Sequence, residues 1–348
     1  MLITEIEKLP MKDLQSKYES YLTPSDALVK DIANLSGDII ILGAGGKMGP
    51  ALATVAKQAV DRAGVDKKVI AISRFSEQNA QEQLNKNGVI TINADLLNDS
   101  ELQALPEAEN VLYMAGMKFG TKDNASLTWA MNAYLPGRVA QKYRSSRIVV
   151  FSSGNVYPMA QVYHGGVTEL QSPEPIGEYA QSVLGRERMF QYFSSLHKTP
   201  LLIYRLNFAV DVTYGVLVEI ATSVMDQREI DLSMGHFNVI WQGDANEIAL
   251  RSLQYCSHPA KFLNVTGPET ISVKWCAEEF GRLFGQNPLF KNEEQPTAYL
   301  NNAAESFRLF GYPRVTLKQM MELLAEWMTS GGKKLNKPTH FQERKGKY

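Results

Sequence analysis

Cysteine is scarce in this chain: Cys256 and Cys276 are the only two in 348 residues. Two thiols exclude a disulfide framework and a four-thiolate metal site. Each sits in a helix-like run, EIALRSLQYC or VKWCAEEFGRLF, where a free cysteine acts as a small core hydrophobe. Long apolar runs are missing too. No stretch approaches ~18 consecutive apolar residues, so no membrane span is expected. The opening MLITEIEKLPMKDLQ has early acids and no apolar run, unlike a signal peptide, and a soluble cytoplasmic protein is expected. Charge of one sign is also lacking. With 36 Lys+Arg against 37 Asp+Glu the net charge is −1, which points to no nucleic-acid partner. The local exception is the C-terminus, where six basic residues and one acid between 329 and 348 make that segment +5 and leave −6 elsewhere. A short solvated tail is expected there. No His, Cys, Asp and Glu set has metal-ligand spacing, and no G-x-S-x-G hydrolase elbow occurs.

What is present is a core. Hydrophobic residues make up 44% and charged residues 21%, which excludes wholesale disorder. At ~150 residues per domain the length suggests two domains or one large one. Residues 1–36 read as a helical extension, with Ile3, Ile6, Leu9, Leu14, Tyr18 and Leu22 at helical spacing. The Thr-Pro-Ser-Asp run at 23–26 marks a helix start with proline in or near its first turn. From Asp38, β-branched runs alternate with helical stretches: DIIIL (38–42), KVIAIS (68–73), GVITIN (88–93), NVLYMA (110–115), RIVVFS (147–152) and PLLIYRL (200–206). Near-continuous apolar strands separated by helices predict a doubly wound parallel α/β sheet over 37–206. Beyond Asn207 the alternation weakens. Helices are expected at 215–230, 244–256, 273–285 and 317–330, with short strands at 237–241 and 261–265. This reads as a smaller, mostly helical substrate lobe over 207–330, with a segment near 237–256 returning to the main domain and a basic tail at 331–348.

The first strand runs into Gly43-Ala44-Gly45-Gly46-Lys47-Met48-Gly49 and then a good helix. Glycines at 43, 46 and 49 suit a tight turn, close backbone approach to a pyrophosphate, and close helix–sheet packing. The helix N-terminus offers N–H groups to phosphate. A strand before and a helix after is the context this dinucleotide motif requires. The second strand ends in Ser73-Arg74 where a 2′-hydroxyl cofactor usually meets an acid. The Arg74 fork suits a 2′-phosphate, which favours NADP over NAD. Asp95-Leu96, after the third strand, either places a carboxylate near the adenine or caps the next helix.

These segments, taken in order, resemble the extended short-chain dehydrogenase/reductases of the NAD-dependent epimerase/dehydratase family. The matching pieces are GAGGKMG, DLL (95–97), VLYMAG (111–116), FSSGNVYP (151–158), EYAQSVLGRER (178–188), IYRLN (203–207), NVIWQGDANEIAL (238–250) and FLNVTGPETIS (262–272), covering about 38–330. The resemblance implies cofactor contacts from Gly43, Gly46, Lys47, Met48, Gly49, Ser73, Arg74, Asp95, Leu96, Ala115, Gly116 and Tyr179. It implies a catalytic Ser153 and Tyr179, and substrate contacts from Lys118, Asn155, His164, Asn207 and His236. Asn132 resembles a residue that supports the active-site backbone, and Asp244 reads as a helix cap. A tyrosine hydroxyl can exchange a proton with substrate while a hydride moves, and a serine beside it can orient the reacting oxygen.

One position departs from the family. Its Tyr-x-x-x-Lys reads Tyr179-Ala180-Gln181-Ser182-Val183, so valine stands where the lysine belongs. Ionising a tyrosine of pKa ~10 near pH 7 costs about 4 kcal/mol, part of which a neighbouring ammonium supplies. Arg186, seven residues along the helix, is ~10 Å away along the axis. Three outcomes are open: Tyr179 stays protonated and serves as an acid, another cation replaces the lysine, or the site is catalytically silent. For the second, Lys118 in the loop after the fourth strand is better placed than Arg186. Three functions follow from the resemblance: an epimerase or dehydratase acting on a sugar or sugar acid, a simple NADP-dependent carbonyl reductase, or a catalytically silent nucleotide sensor. The family also implies a homodimer through two helices of the main domain.

Overall fold

The computed structural model describes residues 10–76, 78–118, 120, 123–335 and 339–347. Ile3, Ile6, Leu9 and Lys337, used in the sequence reading, lie outside the described residues. Seven parallel strands form the central sheet: β1 Ile39–Leu42, β2 Val69–Ser73, β3 Ile90–Asn93, β4 Asn110–Tyr113, β5 Arg147–Ser153, β6 Leu201–Leu206 and β7 Lys261–Val265. Their order is β7-β6-β5-β4-β1-β2-β3. Residues of β1 and β4 are buried on both faces because helices cover both sides, which is why the strands read as unbroken apolar runs. Ile39 sits in register with Val69 on one side and Asn110 on the other. The chain winds outward from β1 to β3 and then back to β4, so a crevice opens beyond the carboxyl ends of β1 and β4.

The six expected strands are present. The seventh, expected in the lobe, instead extends the main sheet, pairing with β6 from Lys261↔Leu202 to Val265↔Leu206. Its apolar pattern was visible, but its partner lies across the whole lobe insertion. On one face of the sheet, helices Asp26–Asn34, Gly49–Ala63 and Gln242–Arg251 bury Leu28, Ile32, Leu52, Val55 and Ala249. The other face carries helix Gly177–His197 and a helical stretch over 125–142. The lobe core gathers around helices Val216–Met225, Val273–Phe284 and Leu317–Thr329. Ile240–Trp241 pairs with Ala209–Val210, and the helix after it packs on Gly49–Ala63.

Several local expectations are corrected. Ser25 is the N-cap of Asp26–Asn34, accepting from the Leu28 N–H, so Pro24 precedes the cap rather than sitting in the first turn. Cys256 follows a 3₁₀ turn, Ser252–Tyr255, rather than lying in a helix, and burial pushes its thiol up to about 12. Asp244 caps nothing. It accepts from the Val315 N–H (3.0 Å) and Arg314 Nε (3.2 Å), tying the 314–315 turn to helix Gln242–Arg251. The described part of the basic C-terminus is docked, not solvated. Phe341 is 3% exposed in the lobe core, and Arg344 donates to the Thr297 carbonyl at 2.7 Å. A charge count sees the lysines and misses the single apolar anchor among them. No helix among the described residues is long and apolar enough to cross a membrane.

Candidate active site

The glycine loop lies at the crevice. Gly43 has φ +89°, and a Cβ there would stand 2.5 Å from the Ala115 amide nitrogen. Only glycine allows the β1 turn to approach the β4 loop so closely. A Cβ on Gly49 would meet the Ala44 carbonyl oxygen at 2.3 Å, so the helix packs directly on its own loop. Gly46 meets nothing nearer than 3.6 Å, leaving its backbone open to the crevice. Helix Gly49–Ala63 has no side-chain cap and no acid in its first turn, so its positive end is free for an anion.

Two adjoining cavities share this loop. The first, of about 570 Å³, is lined by Gly43, Gly46, Ser73, Arg74, Asp95, Leu96, Ala115 and Gly116. The second, of about 440 Å³, is lined by Lys47, Met48, Gly49, Lys118, Ser153, Asn155, Tyr179 and Asn207, among others. The fold thus brings together every residue expected to hold a dinucleotide. Asp95 resolves its two readings: it lines the groove and accepts from the Leu97 N–H, while Asn98 caps the following helix.

Ser153 ends β5 and Tyr179 stands in the first turn of helix Gly177–His197, and both side chains line the same cavity. Ser153 Oγ also donates to Asn155 Oδ1 at 3.0 Å and accepts from the Asn155 N–H at 3.2 Å. Burial pushes the Tyr179 hydroxyl above its ordinary pKa, while the Arg186 charge and the Ser153 hydroxyl pull it down. The Lys118 ammonium is 5.7 Å from the Tyr179 ring centroid; burial lowers its pKa to about 8, against the pull of Glu219. Val183 turns away into an apolar cluster with Val156 and Tyr157.

The position of Arg186 corrects the sequence reading. Its guanidinium donates to the Phe151 carbonyl (2.7 Å) and to Asn132 Oδ1 (2.8 Å), and it lines the Ser153–Tyr179 cavity. A Cβ on Gly116 would fall 2.2 Å from its Nη2, so the guanidinium lies directly beneath that glycine. The ~10 Å of helix rise separates only the backbones. A long helical side chain leans toward the N-terminus and recovers most of that distance. Asn132 supports the site as expected. It sits in a π-helical turn, Ala130–Tyr134, and its carboxamide holds both the N–H and the C=O of Met117, each at 2.8 Å.

Asn207 reaches the cavity and donates to the Tyr299 carbonyl at 3.2 Å. The two histidines do not reach it. His164 is exposed on a 3₁₀ turn, its ring 4.5 Å from that of Tyr163, and His236 belongs to a two-residue strand paired with Ile271–Ser272. Proximity in sequence to Ser153 gave no information on which way those loops fold. Beneath the site lies a buried network absent from the sequence reading. Arg205 clamps Glu187 through Nε (2.9 Å) and Nη2 (2.6 Å), Ser152 donates to Glu187, and Arg205 donates to Tyr157. An arginine inside an otherwise apolar strand, PLLIYRL, was the available signal. Tyr214 and Thr339 also line the cavity, and no local motif marks either.

A glycine loop at the switch point of a parallel sheet, lining one cavity with Ser153 and Tyr179, is the arrangement of a Rossmann-like short-chain dehydrogenase/reductase fold. Residues 39–209 match the model of the NAD dependent epimerase/dehydratase family. No curated protein matches the sequence. Among solved structures, the chain resembles UDP-glucuronic acid 4-epimerase from Bacillus cereus in complex with NAD (TM-score 0.69, 16% identity, 84% of this chain and 98% of that one). It also resembles UDP-glucose 4-epimerase from Thermotoga maritima with UDP-glucose (0.68, 14%, 84% and 98%) and MoeE5 in complex with UDP-glucose and NAD (0.67, 17%, 84% and 98%). At these identities the likeness is one of fold.

Proposed function

We propose that the protein is an NAD(P)-dependent epimerase/dehydratase-type oxidoreductase acting on a sugar or sugar-acid carbon. The observation that carries this reading is the convergence of Ser153 and Tyr179 on one cavity that the glycine loop also lines. A nucleotide sensor needs the loop but neither hydroxyl. The residues fit a dinucleotide: the Gly43–Gly49 turn leaves room for a pyrophosphate, Arg74 and Asp95 border the adenosine end, and Gly116 and Lys118 border the nicotinamide end. When bound, that cofactor supplies or accepts the hydride.

Tyr179 is protonated at neutral pH because burial disfavours its anion. It therefore acts most readily as an acid, giving its proton to an oxygen that Ser153 orients. That direction is carbonyl reduction. The reverse step needs the tyrosinate, and Arg186 is the cation that makes it accessible. Its charge is permanent, its guanidinium is fixed by two hydrogen bonds, and it lies where Val183 offers none. Lys118 is a second, titratable cation lining the same cavity. Arg74, exposed at the end of β2, selects NADP over NAD.

Replacing Tyr179 with Phe is expected to lower turnover by roughly 10²–10⁴-fold with dinucleotide affinity unchanged; undiminished turnover would remove Tyr179 from the mechanism. A homodimer is supported by exposed apolar side chains on the two helical segments 125–142 and 177–197, among them Trp129, Tyr134, Tyr192 and Leu196. A monomeric sedimentation coefficient would refute it.

A further inference from the structure

We infer that the substrate is a free, unactivated sugar or sugar acid carrying no nucleotide, and that the C-terminal segment 339–347 enforces this. The inference rests on the hydride-transfer reading above and departs from the solved neighbours, whose complexes hold UDP-sugars.

Three observations carry it. The first is size. The Ser153–Tyr179 cavity measures about 440 Å³ and must take the nicotinamide end of the cofactor as well as the substrate. Pockets for a single drug-sized ligand span ~300–1,000 Å³. A volume near the lower end of that range, shared with the nicotinamide end of the cofactor, favours a small substrate.

The second is charge. The lining cations Lys47, Lys118 and Arg186 all come from the dinucleotide side, and Lys47 is turned onto the Tyr214 ring, 3.0 Å from its centroid. The lobe side contributes Asn207, Phe208, Tyr214, Gln242 and Thr339, none of them charged. A helix N-terminus could still hold a pyrophosphate there. The one at Val216 carries the Glu219 carboxylate in its first turn, and Asp211 stands in the turn just before it, accepting from the Thr213 and Tyr214 N–H groups at 2.7 and 2.9 Å, so an anion would meet two carboxylates there.

The third is a strap. Thr339, a lining residue, donates its N–H (2.8 Å) and hydroxyl (2.5 Å) to Glu219 Oε2, and Gln342 donates to Oε1 at 3.2 Å. Phe341 is buried in the lobe core, and Arg344 binds Thr297 through its carbonyl and its hydroxyl. Gly346 then lies against Gly177, the first residue of the Tyr179 helix, where a Cβ would stand 2.3 Å from the Gly346 carbonyl oxygen. The segment is therefore pinned at the lobe, in the middle, and at the catalytic helix. Through Thr339 it contributes to the wall of the cavity on the lobe side.

The test uses the full chain. NADH and NADPH are titrated first, followed by fluorescence of the bound dinucleotide. The better-bound complex is then titrated with UDP-glucose, UDP, D-glucose, D-galactose, D-glucuronate and D-gluconate. The expected result is no response to UDP or UDP-glucose at millimolar concentration and a saturable response to at least one free sugar or acid. A T339A/Q342A variant, which leaves Phe341 in place, is expected to raise the KM or Kd for that sugar at least fivefold with dinucleotide affinity within twofold. Micromolar binding of UDP-glucose, silence toward every free sugar, or an unchanged KM in the variant overturns the inference while leaving the hydride-transfer reading standing. Failure to bind either dinucleotide overturns that reading, and the inference with it.

Discussion

The Arg186 guanidinium donates to Asn132 Oδ1 at 2.8 Å, and the same Asn132 grips the Met117 backbone from both sides. A cation on the catalytic helix is thereby linked to the loop that carries Gly116 and Lys118. Arg186 both shapes the crevice beneath Gly116 and places a fixed positive charge near Tyr179.

Replacing Arg186 with Met is expected to cut turnover roughly 10²-fold and stability by about 1–3 kcal/mol, since Asn132 and the Phe151 carbonyl lose a buried donor. Tyr179 loses an attractive charge, so its pKa rises and the alkaline activation of substrate oxidation moves to higher pH. Arg186→Lys recovers part of both effects. A pH–rate profile for the three proteins checks this. A stability loss with an unmoved profile would reduce Arg186 to a structural role.

Lys118, with a pKa of about 8, changes charge within the working range. The ammonium is present below pH 8 and lost above it, so any rate contribution it makes falls as pH rises through 8. Lys118→Met is expected to lose that descending limb and to bind sugar acids more weakly than neutral sugars. A limb that persists unchanged in kcat/KM of the variant belongs to another group.

Arg74 tests the choice of dinucleotide. Arg74→Ala removes a charge-assisted bond worth about 1.5–3 kcal/mol, so NADPH affinity is expected to drop roughly tenfold to a hundredfold while NADH stays within twofold. Parallel calorimetric titrations read this directly, and equal losses would refute a 2′-phosphate contact.

The Glu187–Arg205 pair lies fully buried under the site. Arg205→Met strands a buried carboxylate and is expected to destabilise the fold by about 3–5 kcal/mol. The Glu187→Gln/Arg205→Met double variant loses less, because no unpaired charge remains. Urea unfolding of the two proteins decides it; equal losses would show that packing, not charge pairing, dominates there.

Local pattern was enough for the six strands from Ile39 to Leu206 and the glycine turn between β1 and its helix, while Ser153 and Tyr179 were singled out by the family resemblance and the fold brings them to one cavity. Strand burial, turn glycines and helix periodicity are written within a dozen residues, so one dimension suffices to read them. Four features needed the folded chain: the pairing of β7 with β6 across the lobe, Arg186 reaching beneath Gly116, the histidines folding away from the cavity, and the C-terminal segment closing on Gly177. Each depends on where a long side chain leans or on which distant backbone it meets. Such contacts are set by packing between elements and leave no periodic trace in the residues that make them.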